Sequence, residues 1–390
     1  MSEIFGGMEP SALAEALGGG FATWVDTDAA DQRIVTAQGA MIVHAPIETA
    51  YLAVSDFEGL HRFMGVSRPA QIVKRTGDEL VVKLKQGIGL GPFSVGLSQQ
   101  FRFRLRRPHG VDCLEYLDGP FKTATLSWSL HALDDARTLL QMTFIADLTE
   151  LGGLIQKFFD KQPEIAFAAS ANVVIVPMLA YVQEAERRAH GRIMPRPPSP
   201  PIAELVTSGH LEAPLRRGYL TVGMLDPAGM LMDVASLVRV GASIEQVWPA
   251  IEDPAVLQRV ISFVTGGRVQ RMPASQLHQE LEYTIRFGFL KKRYKYARLA
   301  VGDRPHSVRT IRADLDGIPV VQTEHLWPSE GGTTVCHMAR MDLKQDWFAN
   351  LFLRQHPEFE CLIGTYSPAV FVRSVRLLHG RPHPPAPSPV

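Results

Sequence analysis

The stretch "IETAYLAVSDFEGLHRF", from Ile47 to Phe63, returns in the second half of the chain as "IEQVWPAIEDPAVLQRV", from Ile244 to Val260. Both stretches open with Ile-Glu and carry an aromatic residue at the fifth position, which is Tyr51 in one and Trp248 in the other. They also share Asp, Leu and Arg at the tenth, fourteenth and sixteenth positions, always at an offset of 197 residues. A single period of this length in a chain of 390 residues is typical of domain duplication and not of a solenoid.

The repeat extends on both sides of this stretch. Ahead of it, "AMIVHAP" (Ala40 to Pro46) corresponds to "SLVRVGA" (Ser236 to Ala242), and both alternate as strands do. Behind it, "LDGPFKTATLSW" ends at Trp128 and "LDGIPVVQTEHLW" ends at Trp327, at an offset of 199 residues. The sequence therefore aligns Trp128 with Trp327, with small insertions in the loops between.

The repeat and the distribution of proline predict the domain boundaries. We place an N-terminal extension at 1–34, the first copy at 35–190, a proline-rich linker at 191–230, the second copy at 231–380 and a disordered proline-rich tail at 381–390. Because such a linker separates the copies, residues 1–190 and 230–380 are each expected to fold alone.

Each copy reads as a strand, short helices, several strands and a long helix. In "SVGLSQQFRFRLRR" (Ser94 to Arg107), Phe101 and Phe103 fall on one face and the arginines on the other, as in a half-buried antiparallel strand. The apolar segment from Glu164 to His190 predicts a single long helix that closes the first copy.

Composition excludes several classes of protein. Forty basic and forty acidic residues balance, so the chain has no phosphate-seeking surface and no nucleic-acid partner is predicted. Three well-separated cysteines argue against a disulfide framework and a thiolate zinc site. The N-terminus lacks the basic segment of a signal peptide, and Pro177 interrupts the most apolar run, so the prediction is a cytoplasmic protein.

The order of elements resembles the START-like, or SRPBCC, helix-grip superfamily, in its polyketide cyclase, coenzyme Q-binding and lipid-transfer branch. The segment from Val43 to Met64 is similar to the strand-to-helix opening of that family, with Pro46 at the helix start. "LDGPF" (Leu117 to Phe121) is similar to a strand start found in the coenzyme Q-binding and cyclase branch. The second copy departs from this pattern at "LDGIPVV" (Leu315 to Val321), which implies a different ligand or none.

The resemblance implies an α+β protein of two tandem helix-grip domains, each a curved antiparallel sheet wrapped around a long C-terminal helix. Between sheet and helix it implies a deep apolar cavity for a lipid, quinone, sterol or polycyclic aromatic compound. We therefore predict binding or transport of a hydrophobic small molecule. The alternative is an aromatase/cyclase acting on a polyketide intermediate, and a second copy without a ligand is a third possibility. An acyl carrier protein or a membrane surface is the macromolecular partner that these functions imply.

Polar residues on apolar strand faces point to the ligand site, because a buried polar group needs a partner. Gln99 interrupts the apolar face of its strand, and Arg298 follows Tyr294 and Tyr296 on theirs. We expect Arg298 to hold a carbonyl, phenolate or carboxylate oxygen of a ring compound. The cavity candidates are Leu97, Gln99, Phe101, Phe103, Trp128, Tyr283, Phe287, Tyr294, Tyr296, Arg298 and His325.

No catalytic constellation is recognisable in the sequence. Neither His-Glu-x-x-His nor Gly-x-Ser-x-Gly occurs among its thirteen histidines and its serines. We predict no metal and no cofactor, and leave the choice between carriage and catalysis open.

Overall fold

The structure is a computed structural model of the chain. It describes residues 5 and 8–381, apart from 29, 31–32, 91–92, 148–149, 151, 210, 228, 230, 274, 288–289, 304–305, 347–349, 351–352 and 355–359. For 87–90, 93–95, 153–155, 158, 212–213, 254, 285–287, 290, 311–312 and 343 it describes the backbone alone. The predicted disordered tail, except Arg381, lies outside the described residues.

All strands of the described chain belong to one antiparallel sheet of sixteen strands. The first eight are β1 (Phe21–Thr27), β2 (Ile34–Val43), β3 (Ser67–Thr76), β4 (Glu79–Leu90), β5 (Phe93–Arg106), β6 (Gly110–Asp118), β7 (Ala124–Ala132) and β8 (Thr138–Ala146). The other eight are β9 (Gly218–Leu225), β10 (Leu231–Val240), β11 (Val264–Met272), β12 (Gln276–Phe287), β13 (Leu290–Asp303), β14 (Ser307–Leu315), β15 (Ile318–Ser329) and β16 (Gly332–Met341).

The helices lie between and beside these strands. They are α1 (Pro10–Leu17), α2 (Ile47–Val54), α3 (Gly153–Lys161), α4 (Pro163–Asn172), α5 (Ile175–His190), α6 (Ile202–Thr207), α7 (Glu212–Arg217), α8 (Ile244–Glu252), α9 (Pro254–Leu257), α10 (Glu360–Gly364) and α11 (Tyr366–His379). The repeated stretch that defines the duplication is α2 in the first copy and α8 in the second. Ser243 caps α8 by accepting from the Gln246 backbone N–H, while the Gln246 side chain accepts from the Ser243 N–H.

The two copies have the same strand order. In the first, β2 is followed across the sheet by β8, β7, β6, β5, β4 and β3, and in the second β10 is followed by β16, β15, β14, β13, β12 and β11. The duplication inferred from the sequence is therefore repeated at the level of topology. Large antiparallel sheets covered by helices on one face are typical of α+β proteins.

The two copies are joined into one sheet by β1 and β9. Both strands lie outside the predicted copies, β1 in the segment assigned to the extension and β9 in the segment assigned to the linker. They pair antiparallel, and Thr23 stands opposite Thr221. The segment 191–230 is thus only partly a linker, because α6, α7 and β9 follow its proline-rich start.

The long helix predicted from Glu164 to His190 is divided into α4 and α5. Val173 and Val174 separate the two helices. Pro177, the third residue of α5, has no N–H to donate to the carbonyl of Val173, so the helical hydrogen-bond ladder is interrupted there. Residues 163–190 together are long and apolar enough to span a membrane, but 72% of their most apolar window is buried inside the protein.

A helix of each copy packs into the core of the other copy. From the first copy, α4 contacts α11, and its Ala168 packs among Ile261, Val264 and Leu281 of the second copy. From the second copy, α10 contacts α5 of the first copy, where Cys361 and Leu362 join the hydrophobic core around Tyr181. Neither core is therefore built from one copy alone.

Candidate functional site

The interior of the first copy is lined by aromatic side chains of the sheet. Phe101 and Phe103 on β5 are fully buried, as their alternation predicted. Their ring centroids lie 5.4 Å apart, and Phe103 stacks on Phe57 at 5.0 Å. Trp128 on β7 lies 5.8 Å from Phe103 and 5.6 Å from Tyr181 of α5. These rings form a continuous apolar wall between sheet and helix.

Polar atoms interrupt this wall at two points. Gln99 is buried on β5, and its side-chain oxygen has no hydrogen-bond partner among the described residues. The indole N–H of Trp128 likewise has no partner among them. Leu97, two residues before Gln99, is partly exposed. An unsatisfied buried polar group costs about 1–3 kcal/mol, so both atoms are suited to a polar atom of a ligand.

The "LDGPF" turn covers the interior beside these groups. Strands β6 and β7 pair only at Gly110 and Val111, and the turn lies where they have separated. Gly119 there has φ +147°, and a Cβ at this position would come within 2.2 Å of the Tyr116 hydroxyl. Glycine therefore lets Tyr116 accept a hydrogen bond of 3.2 Å from the Phe121 backbone N–H, which holds the Phe121 side chain in the core.

A cleft with a largely polar lining lies elsewhere in the first copy. It has a volume of about 560 Å³ and is lined by Tyr51, Ser55, Arg75, Asp78, Leu105, Arg106 and Arg107. The deep apolar cavity that the family resemblance implies is thus not this cleft. In the first copy, the described rings contact one another, so a ligand would have to move some of them.

The strand registers show which residues of the two copies are equivalent. Phe101 pairs with Val82, and Arg298 pairs with Gln279, at a shift of 197 residues on both strands. Trp128 pairs with Met142 in the first copy, and Glu324 pairs with His337 in the second. Glu324 follows Trp128 by 196 residues, and His337 follows Met142 by 195. Four apolar positions of the first copy are therefore polar in the second: Val82, Phe101, Trp128 and Met142 correspond to Gln279, Arg298, Glu324 and His337.

This register corrects the alignment of Trp128 with Trp327 and the placement of His325. The equivalent of Trp128 is Glu324, so Trp327 and His325 project to the opposite face of β15. There the two rings stack on each other at 5.3 Å. Burial lowers the pKa of His325, but its side chain does not share a face with Arg298.

Each guanidinium nitrogen of Arg298 donates to an acceptor of the protein. Its Nη1 donates to Glu324 Oε1 at 2.6 Å, its Nε donates to Gln279 Oε1, and its Nη2 donates to the Ile251 carbonyl at 3.3 Å. Gln279 in turn donates to the carbonyls of Ile251 and Glu252 at the end of α8. The acidic partner that a buried arginine requires is therefore Glu324.

Glu324 is the centre of this network and keeps one oxygen without a partner. Its Oε1 also accepts from Gln322 Nε2 at 2.5 Å, and His337 Nδ1 lies 3.4 Å from it. Its Oε2 has no partner among the described residues. Burial alone would raise the pKa of the Glu324 carboxyl, but the charge of Arg298, the nearby His337 ring and the hydrogen bond from Gln322 lower it to about 2.

The tyrosines predicted for this site have different surroundings. Tyr296 donates to Gln322 Oε1 at 2.7 Å and joins the network, and its ring centroid lies 6.2 Å from that of Tyr283. Tyr294 instead donates to Asp346 at 3.3 Å, with Lys292 over its ring. The side chain of Phe287 lies outside the described residues.

The network was only partly visible in the sequence. Arg298 was identified, but Gln279, Glu324 and His337 were missed. Each of them shares a strand face with buried apolar residues, as Glu324 does with Leu326, and this is the signal that could have found them. Among the described residues, no group of three histidine, cysteine, aspartate or glutamate side chains could hold a metal ion.

Comparison with known proteins identifies the family of the first copy. Residues 43–169 match a family described as polyketide cyclase / dehydrase and lipid transport. The first copy is therefore similar to this family over these residues, and the predicted resemblance to its polyketide cyclase and lipid-transfer branch is confirmed there. The second copy lies outside the matched residues, and its repeated strand order makes the arrangement tandem.

Solved structures with two such domains are among the similar ones. The di-domain ARO/CYC StfQ from the steffimycin biosynthetic pathway is 12% identical, with 88% of this chain and 97% of that chain covered and a TM-score of 0.29. The di-domain ARO/CYC BexL from the BE-7585A pathway is 11% identical, with 90% and 99% covered and a TM-score of 0.30. The Zhui aromatase/cyclase from Streptomyces sp. R1128 is 21% identical, with 39% and 94% covered and a TM-score of 0.30. No curated protein matches the chain.

Proposed function

We propose that the protein binds or transports a hydrophobic small molecule between the sheet and the helices of its helix-grip domains. The observation that carries this proposal is the aromatic wall of the first copy, which contains two buried polar atoms without partners, Gln99 Oε1 and Trp128 Nε1. A lipid, quinone, sterol or polycyclic aromatic compound has the matching chemistry, since it combines a large apolar body with few oxygen atoms. The family description, which includes lipid transport, supports the same class.

Ligand entry in this proposal requires movement of aromatic side chains. Phe103 contacts Phe57, Phe101 and Trp128, so the apolar interior opens only when some of these rings change rotamer. The ligand then replaces ring–ring contacts and supplies partners to Gln99 and Trp128. Delivery from a membrane surface or an acyl carrier protein, in the cytoplasm, completes the proposal.

A pair of glutamine variants tests it. Gln99→Leu removes the buried polar interruption, whereas Gln100→Leu makes the same change on the opposite face of β5, where the side chain is partly exposed. We expect Gln99→Leu to weaken binding of 1-naphthol by about 3- to 30-fold, because the naphthol hydroxyl loses its acceptor, Gln99 Oε1, and to leave naphthalene binding unchanged. Quenching of tryptophan fluorescence measures both affinities. Equal effects of the two variants on both ligands would remove Gln99 from the site.

The ligand itself can be identified directly. Protein purified from its own host is analysed by native mass spectrometry, and the bound molecule is extracted and identified. A lipid or quinone supports carriage, whereas a polyketide intermediate or its cyclised product supports the alternative.

The buried network of the second copy favours aromatase/cyclase activity as a second candidate. Cyclisation of a polyketide chain requires removal of a proton next to a carbonyl and polarisation of that carbonyl. Glu324, His337 and Arg298 are groups of the required types in one buried cluster. A pKa of about 2 makes Glu324 a weak base, so proton transfer would require the Arg298 pair to open. Incubation with a poly-β-ketone thioester and mass spectrometry of the products tests this, and absence of a cyclised product would exclude it.

A further inference from the structure

The second copy differs from the first in what its interior can offer a ligand. At four equivalent positions the first copy has Val82, Phe101, Trp128 and Met142, and the second copy has Gln279, Arg298, Glu324 and His337. All four polar side chains are at least nine-tenths buried. Burying a charged pair is expensive, and an apolar set of similar volume already occurs in the same fold, so the network is not required by the architecture.

A charged acceptor without a partner lies at the centre of this network. Each of the three guanidinium nitrogens of Arg298 donates to a protein acceptor. Glu324 Oε1 accepts from Arg298 and Gln322 and lies 3.4 Å from His337 Nδ1, while Glu324 Oε2 has no partner among the described residues. The positive charge of Arg298 is thus already compensated by Glu324, so a ligand carboxylate or phenolate would have to compete with Glu324 for the guanidinium.

The surroundings of the free oxygen are those of a ligand site. Tyr296, Tyr283 and Tyr366, at the start of α11, belong to one hydrophobic cluster, and desolvation raises the pKa of the Tyr283 and Tyr366 phenols. Tyr296 joins this cluster to the network, because it donates to Gln322, which in turn donates to Glu324. Aromatic side chains therefore lie beside the Arg298–Glu324 pair.

We propose that the second copy selects a neutral ring compound with a hydroxyl group that donates a hydrogen bond to Glu324 Oε2, and that it rejects carboxylates. This rests on the proposed function, namely that the second copy binds a hydrophobic small molecule. A hydroxyl donor gains a charge-assisted hydrogen bond to the ionised carboxylate. A ligand carboxylate would face the like charge of Glu324 and would have to compete with it for Arg298.

The test uses the full chain and three ligands with one ring system: naphthalene, 2-naphthol and 2-naphthoate, at neutral pH. Isothermal titration calorimetry should show 2-naphthol binding at one site about 10- to 100-fold more tightly than naphthalene, the range expected for a hydrogen bond to a charged group. Naphthoate should bind there more weakly than naphthalene. Glu324→Gln should abolish the naphthol preference and strengthen naphthoate binding, because Arg298 then lacks its counter-charge. Glu282→Gln, the same change at an exposed position of β12, should alter nothing.

A second variant covers the case in which Glu324→Gln does not fold. The double variant Arg298→Met/Glu324→Leu restores an apolar pair, as in the first copy, and should bind 2-naphthol and naphthalene equally at that site. Equal binding of both ligands by the unmodified protein would overturn this inference and leave the proposed function standing. Failure of all three ligands to bind would overturn the proposed function as well. A naphthol preference that survives in the double variant would place the selecting group elsewhere and refute the role of Glu324.

Discussion

Replacement of Arg298 by methionine should destabilise the protein strongly, although it introduces a side chain of similar length and greater hydrophobicity. The guanidinium of Arg298 is 4% exposed, and it contacts Glu324, Gln279 and the Ile251 carbonyl. Without it, the fully buried carboxylate of Glu324 loses its counter-charge, and Gln279 Oε1 loses its donor. Removal of one partner of a buried ion pair costs about 3–5 kcal/mol, so we expect a loss in this range.

The double variant Arg298→Met/Glu324→Leu separates the energy of the ion pair from the cost of leaving one charge alone. It removes both charges together, and apolar replacements of buried pairs are often neutral or stabilising. We therefore expect its stability to lie within about 1 kcal/mol of that of the unmodified chain. Arg102→Met serves as a control, because the Arg102–Glu115 pair is exposed on the solvent face of β5, opposite Phe101 and Phe103, and should contribute at most about 1 kcal/mol.

Urea unfolding of the full chain, followed by circular dichroism, measures all three variants. The midpoint should fall markedly for Arg298→Met, recover in the double variant and stay nearly constant for Arg102→Met. If the double variant were as unstable as the single one, the loss would come from packing and not from an uncompensated charge. If Arg298→Met were as stable as Arg102→Met, the buried network described here would be wrong.

Further predictions concern the same network, the wall of the first copy and the junction. The pKa of Glu324 is about 2 in the folded protein and higher in the unfolded chain. The ionised carboxylate therefore stabilises the folded state fully above about pH 5, and this contribution is lost as the pH falls towards 2. Acid unfolding of the Arg298→Met/Glu324→Leu variant should lack this component, and an unchanged acid profile would contradict the prediction. Phe103→Arg should abolish binding of a lipophilic fluorescent probe to the first copy, whereas Leu114→Arg, at an exposed position, should leave it unchanged. If a folded Phe103→Arg protein bound the probe as well as the unmodified chain does, Phe103 would not belong to the site. Fragments 1–190 and 230–380 should each unfold at a lower temperature than the full chain, because β1 loses β9 and each core loses a helix; calorimetric transitions identical to those of the full chain would show that the copies fold independently after all.

Local patterns in the sequence predicted the elements that depend on neighbours along the chain. The alternation around Phe101 and Phe103 indicated the buried face of β5, because side chains of a strand alternate whatever the partner strand is. The repeated stretch indicated α2 and α8, because its first copy resembles the strand-to-helix opening of the family, with Pro46 at the helix start. The topology of each copy followed from the family that these patterns resemble.

Features that depend on distant residues were not predictable in this way. The ion pair joins Arg298 on β13 to Glu324 on β15, and β14 lies between them, so no spacing in the sequence reveals it. The alignment of Trp128 with Trp327 failed because identical residues were matched across a loop of different length. This shifted β15 by three positions, and an odd shift exchanges the two faces of a strand. The pairing of β1 with β9 was missed because these strands are far apart in the sequence, and the pattern within one strand does not reveal which strand it pairs with.

The junction of β1 with β9 has a consequence for how the two interiors could diverge. Thr23 lies opposite its own counterpart, Thr221, as equivalent residues do at the two-fold axis of a homodimer. In a homodimer, every substitution appears in both subunits, so an arginine could not replace a buried phenylalanine on one side only. When the two copies lie in one chain, each can mutate separately, and the two are still produced in equal number. Phe101 and Arg298 occupy equivalent positions and differ in charge. Such a difference is possible between two copies in one chain, but not between the identical subunits of a homodimer.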